Sequence, residues 1–397
     1  MTMMEAAAPG STAPRAFLNI GGISVARLQL GIVLALRCER IVCLAAAMEP
    51  EIVALQHAAE AAGAQFHLIS SPRQLVGLVT ATDEVVALGD GLFVSAAEAV
   101  GLLEQGQAVL VQPIEQGLAA GFERIDLNHA AAGAMRIPGR LVERIADLPS
   151  DCDAASALQR IALQAGIRQR PIPAPLDAGL FWMLIRSEDE AHAVEPLWIR
   201  RRTRDDESRS PSRLIALMAV RGFGPALLHA GSGPNAAVIA AAFLALLGAG
   251  AGWLGWIATA FVLLAGGWVL REIAVLLARI EADPLAIPRR LDSKLVYGWL
   301  LDAIMVLVAG WSLPVSAGAG LGDRFFAPFM LAGLLRLMPR IGSGRIAAWM
   351  GDRALLAGLL CAASLSGLGI AAIEAAAAIV LISGFALPRG QLRITQP

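Results

Sequence analysis

From Pro234 onward the chain is a succession of apolar stretches, each near the length of a bilayer crossing, roughly 17 to 25 residues, and no other feature constrains the fold as much. A segment of that kind must satisfy its backbone polar groups internally once it leaves water, so this half reads as all-helical and transmembrane. Expected spans are 235–253, 255–278, 295–312, 325–338, 354–369 and 371–387. The fourth is short and the last two crowd around "SLSGLG", so five is the alternative count and six the expected one.

The basic residues agree with six. Arg279, Arg289, Arg290 and Lys294, then Arg340, Arg345 and Arg353, then Arg389 and Arg393 fall on one side, while the opposite loops "GAGAGWLGW" and "SLPVSAGAGLGD" carry almost no positive charge. By the positive-inside bias the protein is expected to be multi-pass in the cytoplasmic (inner) membrane, with both termini cytoplasmic. Its 56% hydrophobic and 16% charged residues depart from the globular norm in the same direction. A net charge of -1 argues against a nucleic-acid partner, which calls for a basic excess.

Residues 1–175 read differently. Helical periodicity alternates with short apolar runs: a helix in "ISVARLQLGIVLAL", a strand in "RIVCLAA", a helix near 51–62, a strand in "QFHLIS", a helix near "RQLVGLV", and strands in "EVVALGD" and "AVLVQPI". This pattern predicts a Rossmann-like α/β domain with a mostly parallel sheet. A charged linker, 176–212, follows and includes "RRRTRDDESRSPSR"; residues 213–233 suit an amphipathic helix lying in the membrane interface.

Other chemistry is sparse. Cys38, Cys43, Cys152 and Cys361 have no metal-ligand spacing and read as buried thiols in a reducing compartment. The start, "MTMMEAAAPGSTAPR", lacks the basic and apolar parts of a signal peptide, so the first domain is expected to stay in the cytoplasm. His57, His67, His129, His192 and His229 are scattered, and Glu374 stands inside an apolar stretch near its end.

The charged loop "LARIEADPLAIPRRLDSKLV" carries a resemblance. Membrane CDP-alcohol phosphotransferases share the pattern D-x2-D-G-x2-A-R-x8-G-x3-D-x3-D, and here Ala278 and Arg279 match the A-R pair while Asp292 falls at the third aspartate. Arg271 and Ala274 stand where the first two aspartates belong, Val275 and Pro288 replace the glycines, and Val296 replaces the last aspartate. Asp302 lies about one and a half helical turns beyond Val296. "SGPNAAVIAAAFLALLGA" also looks like that family's first span. The resemblance implies a magnesium-assisted headgroup transfer from a CDP-linked alcohol to a membrane lipid or related acceptor, in a homodimer. Asp292 would be catalytic and metal-binding, and Ala278, Arg279, Arg271 and Lys294 would lie at the donor. A guanidinium at position 271 could meet phosphate directly, where the family holds metal.

The first domain resembles sugar-phosphate nucleotidyltransferases. "PRAFLNIGGISVARLQLGIVLALRCERIVCLA" is similar to their P-K-P-L element, Gly-Gly turn and helix, with Arg15 at the lysine and Gly21 and Gly22 at the turn. "VVALGDGLF" looks like their central strand ending in a metal-binding aspartate, here Asp90. Their Gly-rich triphosphate loop has at best a shortened counterpart in "EAAAPGSTAPR". Together the halves resemble the bifunctional inositol-phosphate cytidylyltransferase and di-myo-inositol-phosphate-phosphate synthase family. That implies a phosphotransferase of phospholipid or inositol-phosphate metabolism. Because one motif aspartate of four remains, a second reading stays open: an inactive relative that binds a lipid, a nucleotide or a partner enzyme.

Overall fold

The structure is a computed structural model that describes residues 1, 5–7, 14–149, 152–173, 181–203, 210–229, 233–280, 293–313, 321–341 and 345–386; side chains at 229, 293–296, 321, 323, 339–341, 345, 346 and 386 are outside the description. Two compact units divide the chain, one from Met1 to Trp198 and one from Ile199 on. The first is mixed α/β with small sheets, and the second is mostly helical.

In the first unit, β1 (Asn19–Ile20) and β2 (Ile23–Ser24) form a hairpin closed by Gly21 and Gly22, with φ of 61° and 79°. A two-residue turn with both φ values positive suits the strand twist and favours glycine. Ser24 then caps α1 (Val25–Ala35) by accepting the Arg27 backbone N–H. Next come β3 (Arg40–Leu44), α2 (Pro50–Ala61), opened by Pro50, and β4 (Gln65–Ile69), parallel to β3. The chain continues through β5 (Glu84–Leu88), β6 (Leu92–Val94), α3 (Ala96–Glu104), β7 (Ala108–Pro113), α4 (Ile114–Ala119), β8 (His129–Pro138), α5 (Ala154–Gln164), β9 (Gln169–Pro171), β10 (Trp182–Leu184) and α6 (Glu188–Arg202).

The larger sheet has the order β5-β8-β7-β9. Its faces are apolar on both sides: Leu110 of β7 packs with Leu30 and Leu103, while Val109 and Val111 pack with Ile145, Leu158 and Ile161. Strand β7 is therefore buried over most of its length, as in an α/β sheet covered by helices.

The expected mostly parallel sheet is corrected here. Strand β8 runs antiparallel between β5 and β7, and β3 and β4 form a separate parallel pair. The alanine-rich "HAAAGAMRIP" of β8 has little β propensity, and burial against both neighbours decides its state. The helix expected near "RQLVGLV" is a 3-10 segment, Pro72–Gly77.

Residues 182–202, placed in the linker by composition, form β10 and α6. Strand β10 pairs with β6, and Trp198 of α6 stacks on Phe93 and Phe181 with ring centroids 5.4 and 5.9 Å away. A few aromatic anchors thus order a segment whose charge suggests none. The remainder of "RRRTRDDESRSPSR" at 204–209 lies outside the described residues. Of the cysteines, Cys43 is buried and the other three are half-buried.

The second unit contains α7 (Pro211–His229), α8 (Gly233–Trp253), α9 (Ile257–Ile280), α10 (Ser293–Trp311), α11 (Leu321–Ile341), α12 (Arg345–Met350), α13 (Arg353–Leu365) and α14 (Gly369–Ala386). Helices α8 and α9 are long and apolar enough to cross a membrane, with mean hydropathy 2.0 and 1.9. Shorter apolar runs lie in α10, α13 and α14, and α11 carries Arg324 and Arg336. Gly255, at φ 84°, turns the chain between α8 and α9.

Helix α8 inverts the usual arrangement. It buries Ala237, Ala241, Ala245 and Gly248 and turns Ile239, Phe243 and Leu246 outward. A Cβ added at Gly248 would lie 3.3 Å from the Ala260 carbonyl oxygen on α9. Small residues bring the two backbones together, as in helix pairs packed in lipid. Water would favour burying the large side chains instead.

Asp352 joins two helix starts. Its Oδ1 accepts the backbone N–H groups of Ala354 and Leu355 at 3.0 and 3.1 Å, and its Oδ2 accepts that of Ser212, near the start of α7, at 2.7 Å. Both helix N-termini gain a buried anionic cap.

Candidate functional site

In the first unit, Asp90 follows β5 and is 8% exposed. Its Oδ2 accepts the Glu5 backbone N–H at 2.7 Å. The Glu5 carboxylate in turn pairs with the Arg15 guanidinium, whose Nε donates to the Ala6 carbonyl at 3.3 Å. Gly91, at φ 67°, permits this approach: a Cβ there would meet the Ile185 carbonyl oxygen at 2.6 Å and the Arg15 Cβ at 3.3 Å. Arg15 and Asp90 are thus brought together through Glu5. Gly21 and Gly22 lie in the hairpin turn, where the Gly21 N–H donates to the buried Glu195 carboxylate at 2.9 Å.

Among the described residues no three histidine, cysteine, aspartate or glutamate side chains gather as a metal site, and Asp292 lies outside the description. Asp90 by itself supplies one carboxylate, while hard divalent cations take several oxygen ligands.

In the second unit, Ala278 and Arg279 occupy the last turn of α9, with Arg279 exposed. Lys294 lies in the first turn of α10, with its side chain outside the description, as Asp283 is altogether. Arg271 is one helical stretch earlier on α9. Its Nη1 pairs with Glu272 at 2.6 Å, and its guanidinium carbon lies 5.1 Å from the Trp268 ring centroid. The same ring is 5.5 Å from the Arg353 guanidinium. Arg353 Nε approaches Asp302 Oδ1 at 3.4 Å, and Arg336 Nε donates to Asp302 Oδ2 at 2.6 Å. A Cβ built at Gly298, one turn before Asp302 on α10, would lie 3.5 Å from Arg271 Nη2.

Three guanidiniums, from α9, α11 and α13, therefore surround a mostly apolar corner with two carboxylates, Glu272 and Asp302. Trp268 Nε1 and Arg271 Nε are buried donors with no hydrogen-bond partner among the described residues. Such donors are uncommon in a folded interior and create a demand for an acceptor. Guanidinium groups meet phosphate through paired hydrogen bonds, so the corner is chemically suited to an oxyanion.

Sequence reasoning singled out Arg271 and Asp302 but missed Arg336, Trp268 and Trp299 as members of this corner. An arginine inside an apolar helix, as in "LAGLLRLMPRI", is the available signal. Glu374, also noted for its apolar setting, is exposed on α14. Compared with known protein families and with curated proteins, the chain matches none of them.

Proposed function

We propose that this chain is a membrane-embedded protein of CDP-alcohol phosphotransferase-like build that holds a phosphate-bearing lipid headgroup without transferring it. The observation carrying this reading is the ion pairing of Asp302 with both Arg336 and Arg353, beside Arg271. Metal-assisted diphosphate chemistry needs carboxylates free to hold cations. Here the first aspartate position of the motif is Arg271, and the nearby carboxylates Glu272 and Asp302 already face guanidiniums. Among the described residues of the corner one positive charge remains in excess, and a phosphate oxygen would balance it.

In this reading α8, α9, α10, α11, α13 and α14 are the six spans, both termini are cytoplasmic and the protein is a homodimer. The small-inside, large-outside surface of α8 supports lipid as its surroundings. The first unit is a nucleotidyltransferase-like domain whose Asp90 is engaged by its own N-terminal segment. A CDP-linked alcohol would then be a ligand at most.

The full chain in lipid nanodiscs, given magnesium and labelled CDP-alcohols, is expected to yield no transferred headgroup. Anionic phospholipid should be retained in native mass spectrometry, and Arg271→Ala should weaken retention by about tenfold or more, the scale of one lost charge-assisted contact. Magnesium-dependent transfer would overturn the proposal, as would retention indifferent to Arg271.

A further inference from the structure

Two levels of the helical unit are fixed by arginines held within the bundle. At one, Arg336 and Arg353 pair with Asp302, whose side chain is 9% exposed. At the other, Arg324 of α11 donates through Nη2 to the Trp311 carbonyl at 2.7 Å and through Nε to that of Gly310. Both levels lie on α10, where Asp302 and Trp311 are only about 13 Å apart along the axis.

Tryptophans mark the same levels on the outer surface. Trp299, 62% exposed, lies against the Arg336 guanidinium. Trp253 and Trp256 stand exposed at the α8–α9 turn, and Trp253 meets Trp311 edge-on with ring centroids 5.6 Å apart. Aromatic and basic side chains of this kind collect at the two headgroup levels of a bilayer. From Trp299 to Trp311 is about 18 Å of helix, as it is from Arg353 to the exposed Leu365 on α13. Helix α14 connects the same levels, since a Cβ at Gly369 would lie 3.9 Å from Ser312 Oγ and one at Gly384 3.9 Å from Met338 Sδ. Glu374 is exposed between them, about 7 Å in from Gly369, and shortens that apolar run further.

A hydrocarbon core is about 30 Å thick. Tilting a helix lowers its height, and Arg336 and Arg353 cannot snorkel outward while Asp302 holds them. Helix α8, by contrast, is apolar for about 30 Å. We infer that the bundle meets lipid with two unequal faces, α8 spanning a full bilayer and α10, α11, α13 and α14 seating one thinned to about 20 Å. The partner on the thin side is phospholipid with short acyl chains. Thinning brings the headgroups to the level of Arg271, Arg336 and Arg353, where a full leaflet would leave the corner beneath its surface. The inference rests on the membrane reading above, and not on the identity of any headgroup.

The test reconstitutes the full chain in brominated oleoyl phosphatidylcholine, which quenches tryptophans that touch lipid. Phosphatidylcholines with myristoleoyl, oleoyl or erucoyl chains are then mixed in, and the recovery of fluorescence is read. The myristoleoyl lipid is expected to displace the brominated one about twofold or more better than the oleoyl lipid does, and the erucoyl lipid least well. Glu374→Leu, which lengthens the apolar run of α14, should move the preference toward oleoyl chains. An oleoyl or erucoyl optimum in the parent, equal displacement by all three, or an unchanged preference in Glu374→Leu would overturn the thinned face and leave the membrane reading standing. Fluorescence untouched by the brominated lipid would place the chain outside the bilayer and overturn both.

Discussion

Arg336 donates through Nε to Asp302 at 2.6 Å while its guanidinium carbon lies 3.5 Å from the centroid of the Trp299 ring. One side chain thus joins α11 to α10 by charge on one side and by cation–π contact on the other. With the Asp302 side chain 9% exposed, the pairing is set in surroundings of low polarity. Removing the anion leaves Arg336 and Arg353 facing each other. Asp302→Ala is expected to destabilise the helical unit by about 3 kcal/mol, the scale of breaking a buried ion pair. Arg336→Met, which keeps Arg353 on Asp302, should cost less. Denaturation of both variants in micelles checks the order, and a milder effect for Asp302→Ala would refute it.

The packing of α8 on α9 predicts an asymmetry between its faces. Gly248→Leu places bulk against the Ala260 carbonyl and the Leu264 side chain, each 3.3 Å from an added Cβ. About 1 to 3 kcal/mol of destabilisation is expected from such overpacking. Phe243→Leu, on a residue 61% exposed, should change stability by about 0.5 kcal/mol or less. Unfolding midpoints in bicelles distinguish the two, and comparable losses would contradict the assigned faces.

Asp126 should be visible in the acid limb of stability. The Asn128 N–H, followed by the His129 ring and its backbone N–H, holds the carboxyl at about 2, below its ordinary 3.8. A lowered folded-state value means the stabilisation is complete above 3.8 and is lost as pH falls through about 2. The difference between the parent and Asp126→Asn should therefore shrink across that window. A pH-independent difference in urea midpoint would remove the assignment.

Cys43 should be inert in the native protein. Burial pushes its thiol up to about 11, and its side chain, carried by β3, is fully enclosed in the core. At pH 8 about one thiol in a thousand would be thiolate, the reactive form. Iodoacetamide is expected to label Cys43 after denaturation and to spare it before. Labelling within minutes in the folded state, read by peptide mass spectrometry, would count against this burial.

Much of the architecture is legible in local pattern. Helix α1, β3 and the apolar stretches from Pro234 on follow from spacing and length, and the Gly21-Gly22 turn from the nucleotidyltransferase resemblance. Strand β8 is not legible, because alanines carry no strong preference and its place between β5 and β7 is a tertiary outcome. The arginine corner is partly legible. Arg271 stands out against a motif, yet Arg336 and Arg353 lie 34 and 51 residues from Asp302, and their convergence depends on how three helices rotate against one another.

The carboxylate of Asp352 also sets an order of assembly. Ser212 reaches its acceptor across 140 residues of chain, so α7 leaves the ribosome long before the group that caps it exists. At about 5 to 20 residues per second, that wait is roughly 7 to 28 seconds. Helix α7 must spend it with its first amides held by water or by lipid headgroups, and it takes its final seat only after five later helices, α8 to α12, have been made.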